Sequence, residues 1–252
     1  MAKAVSINIR YRDATVYFIK DGYYCQIGVG DVSIDADGAP NAYGPQANAA
    51  DPDGCGLDSL TAACYPPGAA DPLGQENWKD ILVPDTQHPE VPYLKPDGFF
   101  ISKTSLCDES KTDVEPGKFL DAATLPYVVM PQFWVEHLGM QLGDLCILNH
   151  ATFNKPVVAI VGDLCPFTER LGEMSIGAAV LLGGQNVSPR TGVDFPAKSL
   201  LQCVFLKGSR PDPLWPLTGE RLQAMLPDLI ARRLKGQPLA NLKSLVVVND
   251  TE

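Results

Sequence analysis

Two acidic residues, Asp163 and Glu173, stand where a pair of carboxylates could do acid–base chemistry. The small and β-branched run Val157 to Val161 predicts a buried strand, and it ends in Gly162-Asp163. A turn-prone segment with Pro166 follows. Gly172-Glu173 then opens a small-residue stretch that predicts a tightly packed helix. Two carboxylates at the ends of one short loop, each held by a rigid element, can act as a pair. One can protonate a leaving oxygen while the other activates water, which is what glycosidic hydrolysis needs. Both residue types also have structural uses: Asp after a strand braces a turn, and Glu near a helix start complements the macrodipole.

The segment Leu142-Gly-Asp-Leu-Cys146 nearly repeats Val161-Gly-Asp-Leu-Cys165. Gly-Asp at a strand entry resembles the turn of cradle-loop barrels, double-psi barrels among them, where the Asp braces the turn. Asp144 is therefore expected to be structural, and the same logic weighs against Asp163 as a catalyst. Gly172-Glu173 has no counterpart after Asp144, and this distinguishes the two segments.

A second acidic stretch is Gly30-Asp-Val-Ser-Ile-Asp-Ala-Asp-Gly38. Read as a strand, it puts Asp31, Ser33, Asp35 and Asp37 on one face. Such a row of like charges must face solvent, a cation or a cationic ligand. It fails as an EF-hand: with Gly38 at the sixth position, Gly44 falls where the bidentate Glu is needed. A looser metal site is the lesser alternative for this cluster, and no metal is expected.

These motifs together resemble glycoside hydrolase family 75, the chitosanase family. The resemblance rests on Gly162-Asp163 followed by Gly172-Glu-Met-Ser-Ile176, on Asp35-Ala-Asp-Gly38 with Tyr43, and on Gly56-Leu-Asp-Ser-Leu60. It also rests on the Ser102-Lys-Thr104 end of a strand predicted over residues 98 to 104, and on Leu125-Pro-Tyr-Val-Val-Met-Pro131. These are short motifs in family order, scattered over roughly residues 30–185. The resemblance implies that Asp163 and Glu173 are the catalytic pair and that hydrolysis inverts the anomeric centre. Glu173 is expected as general acid and Asp163 as the base, with the reverse assignment open. It further implies that Asp35, Asp37, Tyr43 and Thr104 bind substrate, and that no cofactor is required. The fold expected is mainly β with a few helices: a single β-barrel-centred domain over residues 1–252, its core at about 30–210, with a double-psi barrel as one form.

Composition agrees with a single globular domain. The 22 Gly and 22 Pro point to a loop-rich, strand-dominated chain. A net charge of −10 argues against a nucleic-acid partner and suits a cationic polymer such as chitosan. No stretch has the length of a transmembrane span, and the N-terminus lacks the apolar core of a signal peptide. A trimmed leader, action inside the cell, or export by a specialised route to the periplasm or cell exterior would each account for this. The seven cysteines show no Cys-x-x-Cys spacing and no zinc-spaced His partner, so buried free thiols are expected, with one or two disulfides in an oxidising compartment.

Elsewhere, residues 5 to 20 predict a strand pair, and 199 to 206 and 242 to 248 predict strands. The proline-rich segment 65 to 97 predicts an irregular excursion in which Trp78 and Tyr93 either stack on sugars or anchor the loop. Thr218 predicts the cap of an apolar-striped helix that Pro227 kinks or restarts. No nucleophile elbow, phosphate loop or dinucleotide motif is present, and His88, His137 and His150 form no ligand-spaced pair. Three other readings are weighed beside the chitosanase-like one. One is a peptidoglycan-cleaving bacterial effector with an immunity protein as partner. Another is a lytic transglycosylase, which needs a single acid. The last is a non-catalytic sugar-binding module.

Overall fold

Alternation of side chains across one long sheet organises the chain. The structure, a computed structural model, describes residues 5–9, 12–19, 21–28, 32–44, 78–153, 155–166, 171–188, 192–194 and 200–234. Nine strands form one mixed sheet. They are β1 (Val5–Ile9), β2 (Arg12–Ile19), β3 (Gly22–Gly28), β4 (Ser33–Asp35), β5 (Tyr127–Pro131), β6 (Leu145–His150), β7 (Pro156–Cys165), β8 (Glu173–Ser175) and β11 (Leu200–Leu206). Their spatial order is β1-β2-β3-β11-β6-β7-β5-β8-β4. A separate ribbon pairs β9 (Gln185–Ser188) with β10 (Gly192–Asp194). Among the described residues the helices are few and short: α1 (Trp78–Ile81), α2 (Gln132–Leu138), α3 (Ile176–Leu181), α4 (Gly219–Ala224) and α5 (Leu226–Arg233).

The centre of the sheet is buried on both faces, which is why β6 and β7 are nearly continuous apolar runs. On one face Tyr24, Leu145, Ile147, Ile160 and Val204 pack under the loops and under Leu222 and Leu229 of α4 and α5. On the other face Cys25, Leu148, Val161, Cys203 and Phe205 pack with Trp134 and Met140. That second face is concave: Ile27 of β3 and Met174 of β8 border the same residual gap of about 10 Å³ as Leu148, although four strands lie between β3 and β8. The domain is therefore mainly β and centred on a strongly curled sheet. Closure into a barrel is not present among the described residues, because the ladder ends at β1 on one side and at the three-residue β4 on the other.

Several local expectations meet a different outcome. The Asp-rich strand is only Ser33–Asp35, and Asp37 sits in a turn where Gly38 has φ +78. Positive φ and a backbone approach so close that a Cβ would overlap the Leu120 carbonyl both require glycine there. Residues 98–104 make only isolated bridges, Phe100 to Leu94 and Ser102 to Leu82. Thr218 does cap α4, accepting from the Arg221 N–H at 3.1 Å, and Pro227 restarts the chain as α5. Trp78 is buried and anchors its loop. Cys25, Cys107, Cys146 and Cys203 are free thiols. The segment 56–60, the strand expected at 242 to 248, and Cys55 and Cys64 lie outside the described residues. Among the described residues no helix is long and apolar enough to cross a membrane.

His150, at the end of β6, is 1% exposed, and its ring lies 4.9 Å from that of Phe153. Burial lowers its pKa from the usual 6.5. The folded protein thus resists a proton that the unfolded chain takes up near that value, and stability present above it is lost as the pH falls toward the folded pKa. The thermal midpoint should fall on acidification through this window, and the fall should shrink in His150→Gln. An identical pH profile in the variant would assign the effect to other groups.

Candidate functional site

Asp163 owes its direction to a bulge. In the parallel pair β5–β7, Tyr127 faces Ile160 and Val128 faces Val161, but Val129 faces Asp163, so Gly162 is the extra residue. Without the extra residue Asp163 would point to the concave apolar face. With it, Asp163 shares the face of Val129, on the opposite side. Only glycine fits at the bulge: a Cβ on Gly162 would lie 2.6 Å from Leu120 Cδ1 and 2.7 Å from Tyr127 Cβ. One oxygen of Asp163 accepts from the Ser105 N–H at 3.0 Å, the Ser105 hydroxyl at 2.5 Å and the Leu164 N–H at 2.7 Å. Three donors on one oxygen stabilise its negative charge.

Glu173 begins β8 and precedes α3, so it lies on a strand and not in the first helical turn as expected. It pairs with Ser33 in the parallel β4–β8 ladder, as Ser175 pairs with Asp35. Period-two alternation puts Glu173 and Ser175 on one face and leaves Met174 for the concave core. Ser175 locks this arrangement. Its buried hydroxyl accepts from the Tyr127 and Ala178 N–H groups at 3.0 and 3.1 Å and donates to the Leu125 carbonyl at 2.8 Å. Ser175→Ala would strand all three buried groups and should destabilise the fold by about 2–4 kcal/mol in denaturant titration. A change below about 0.5 kcal/mol would show that this hub is dispensable.

Asp35 is 2% exposed and accepts from the Asp37 N–H at 2.7 Å, a bond that shapes the turn after β4. The Tyr127 hydroxyl donates to the Asp37 carbonyl at 2.8 Å. Burial, with the charges of Asp35, Asp163 and Asp37, pushes the Tyr127 pKa well above its usual 10.0, so the phenol remains a neutral donor amid carboxylates. Tyr127 thus ties the β4 turn to the bulge, its ring filling the space a Gly162 side chain would need.

These residues converge on an open cleft of about 790 Å³. Among the described residues, Asp35, Asp37, Asp80, Asp163 and Glu173 contribute five carboxylates to its lining, against the cation Lys103. Thr104 also lines the cleft, but its hydroxyl donates to the Leu106 carbonyl and accepts from the Leu120 N–H, which makes it a brace of the wall. Tyr43 is not part of this lining: it is fully buried in the core on the loop-covered face of the sheet, with its carbonyl holding the Phe100 N–H. The expectation that Tyr43 contacts substrate therefore gives way to a packing role. Among the described residues no group of three or more His, Cys, Asp or Glu side chains could hold a metal ion.

Asp144 offers an internal comparison. It is fully buried and accepts from the Gln141 N–H through one oxygen and the Ser209 N–H through the other, both at 2.9 Å. Burial raises its pKa. Both Gly-Asp segments thus brace a remote serine, but only Asp163 also faces an open cleft. Sequence reading missed Ser105 and Tyr127, which orient the carboxylates, and Lys103 and Asp80 in the wall. Tyr127 could have been found as a large polar residue inside an otherwise apolar, proline-bracketed strand. In comparisons with known proteins, no family model matches the chain, and no curated protein matches it.

Proposed function

We propose that the protein is a glycoside hydrolase that cleaves β-1,4 linkages of an amino-sugar polymer, chitosanase-like and inverting. The observation that carries this reading is the meeting of Asp163 and Glu173 in one open, acidic cleft, each delivered by a separate structural device. Asp163, its charge held by three donors, serves as base and takes a proton from water as the water oxygen bonds to the anomeric carbon. Glu173, half-buried at the start of β8, gives its proton to the glycosidic oxygen as the carbon–oxygen bond breaks. One water is consumed, and each carboxyl must then exchange one proton with solvent. The excess of negative charge around the cleft would draw in protonated amines.

The test is release of reducing ends from chitosan and, separately, from purified peptidoglycan. Cleavage of chitosan supports the reading. Cleavage of peptidoglycan alone keeps the chemistry and moves the substrate to a bacterial wall polymer, with an immunity protein as the partner to seek. No cleavage of either by the folded protein overturns it in favour of a binding module.

A further inference from the structure

Beside the cleft lies a second hollow, of about 520 Å³. The two share Phe119 in their walls, and two chain segments form a partition with residues in both linings. Asp37 lines the cleft while Gly38 lines the hollow, and Lys103 lines the cleft while Ser102 lines the hollow. The Gly38 N–H donates to the Ser102 hydroxyl at 2.7 Å, so the partition is a fixed, hydrogen-bonded turn.

The outer wall comes from the loop 107–119, which is held by its own bonds. The Lys111 ammonium reaches the Pro116 and Gly117 carbonyls at 3.0 and 3.1 Å, and the Glu115 carboxylate accepts from the Thr112 N–H and hydroxyl. Lys118 bonds Glu109 at 3.0 Å. The hollow is thus preformed. Among the described residues, its surface combines apolar carbon from Phe119, Pro40, Pro116 and the exposed Val114 with the carboxylates Asp97, Glu115 and Asp121 and the cation Lys95. Apolar surface edged by a few polar groups suits the carbon faces and polar rim of a pyranose ring, and the negative excess continues that of the cleft.

We propose that this hollow is a second binding section for the same amino-sugar chain, holding units beyond those at the scissile bond, with Phe119 as the surface over which the chain passes. Continuity through Phe119 and the shared sign of charge select this occupant. The identity of the chain rests on the hydrolase reading; the binding section itself needs no cleavage.

The test uses the full chain carrying Glu173→Gln, titrated calorimetrically with β-1,4 glucosamine dimer and hexamer, alone and with Val114→Arg. Hexamer should bind at least about tenfold tighter than dimer, a difference of about 1.4 kcal/mol. Val114→Arg, which adds bulk and positive charge at the rim, should remove most of that length preference. Val114→Glu, lacking the repulsion, should retain more of it. Equal affinity for both lengths, no binding of either, or a length preference untouched by Val114→Arg would overturn the proposal. A Val114-dependent preference in a protein whose wild type cleaves no polymer would keep the binding section and remove the hydrolase reading.

Discussion

Replacing Glu173 by Gln is expected to lower cleavage of the natural polymer by about 10²–10⁴-fold, the usual worth of a positioned general acid. The fold should survive, because Glu173 is held through its backbone pairing with Ser33 and Gln keeps its size and polarity. An aryl glycoside whose leaving group needs no proton separates the two roles. Glu173→Gln should spare that substrate far more than the polymer, whereas Asp163→Asn should impair both. The double variant should lose little more than the worse single one, since paired groups act as a unit. Equal losses on both substrates with Glu173→Gln would reverse the roles. Near-wild-type activity in both single variants would exclude this pair.

Adding one methyl group at the bulge, Gly162→Ala, should have the largest effect on activity of any change outside the carboxylates. The new Cβ would meet Leu120 Cδ1 at 2.6 Å and Tyr127 at 2.7 and 2.8 Å, all within a packed core. Overpacking of this kind costs about 1–3 kcal/mol in stability. Relief requires Tyr127 or β7 to move, and a shift of β7 at the bulge displaces Asp163, the next residue. Misplacement of a reacting group by about 1 Å can cost about 10²-fold in rate. Activity measured well below the melting transition should therefore fall by about that factor even though the variant is folded. A variant of normal stability and normal rate would show that the bulge aims nothing.

The central strands were legible because β6 and β7 are buried on both faces and carry unbroken apolar runs, and the caps at Thr218 and Pro227 were legible because capping is local. Asp163 and Glu173 could be picked out as a pair from one short segment, yet what aims them could not. A bulge is defined against its partner strand, so Gly162 is an extra residue only in relation to Val128 and Val129, far away in sequence. Ser105 reaches Asp163 by a contact that spans 58 positions, which no local pattern encodes. The packing role of Tyr43 is not legible in the sequence, because an aromatic residue after an acidic turn suits a sugar platform and a core anchor equally well, and only tertiary burial separates them. The strand expected over Asp31 to Asp37 ends early because Gly38 must turn tightly over Leu120.

The most direct measurement is a proton NMR time course on a β-1,4 glucosamine oligomer, following the anomer released before mutarotation. Water delivered by Asp163 while Glu173 protonates the leaving oxygen inverts the centre, so the α-anomer should appear first. First appearance of the β-anomer would require a covalent intermediate and contradict the mechanism, and an oligomer left intact by folded protein would contradict the assignment of hydrolase function itself.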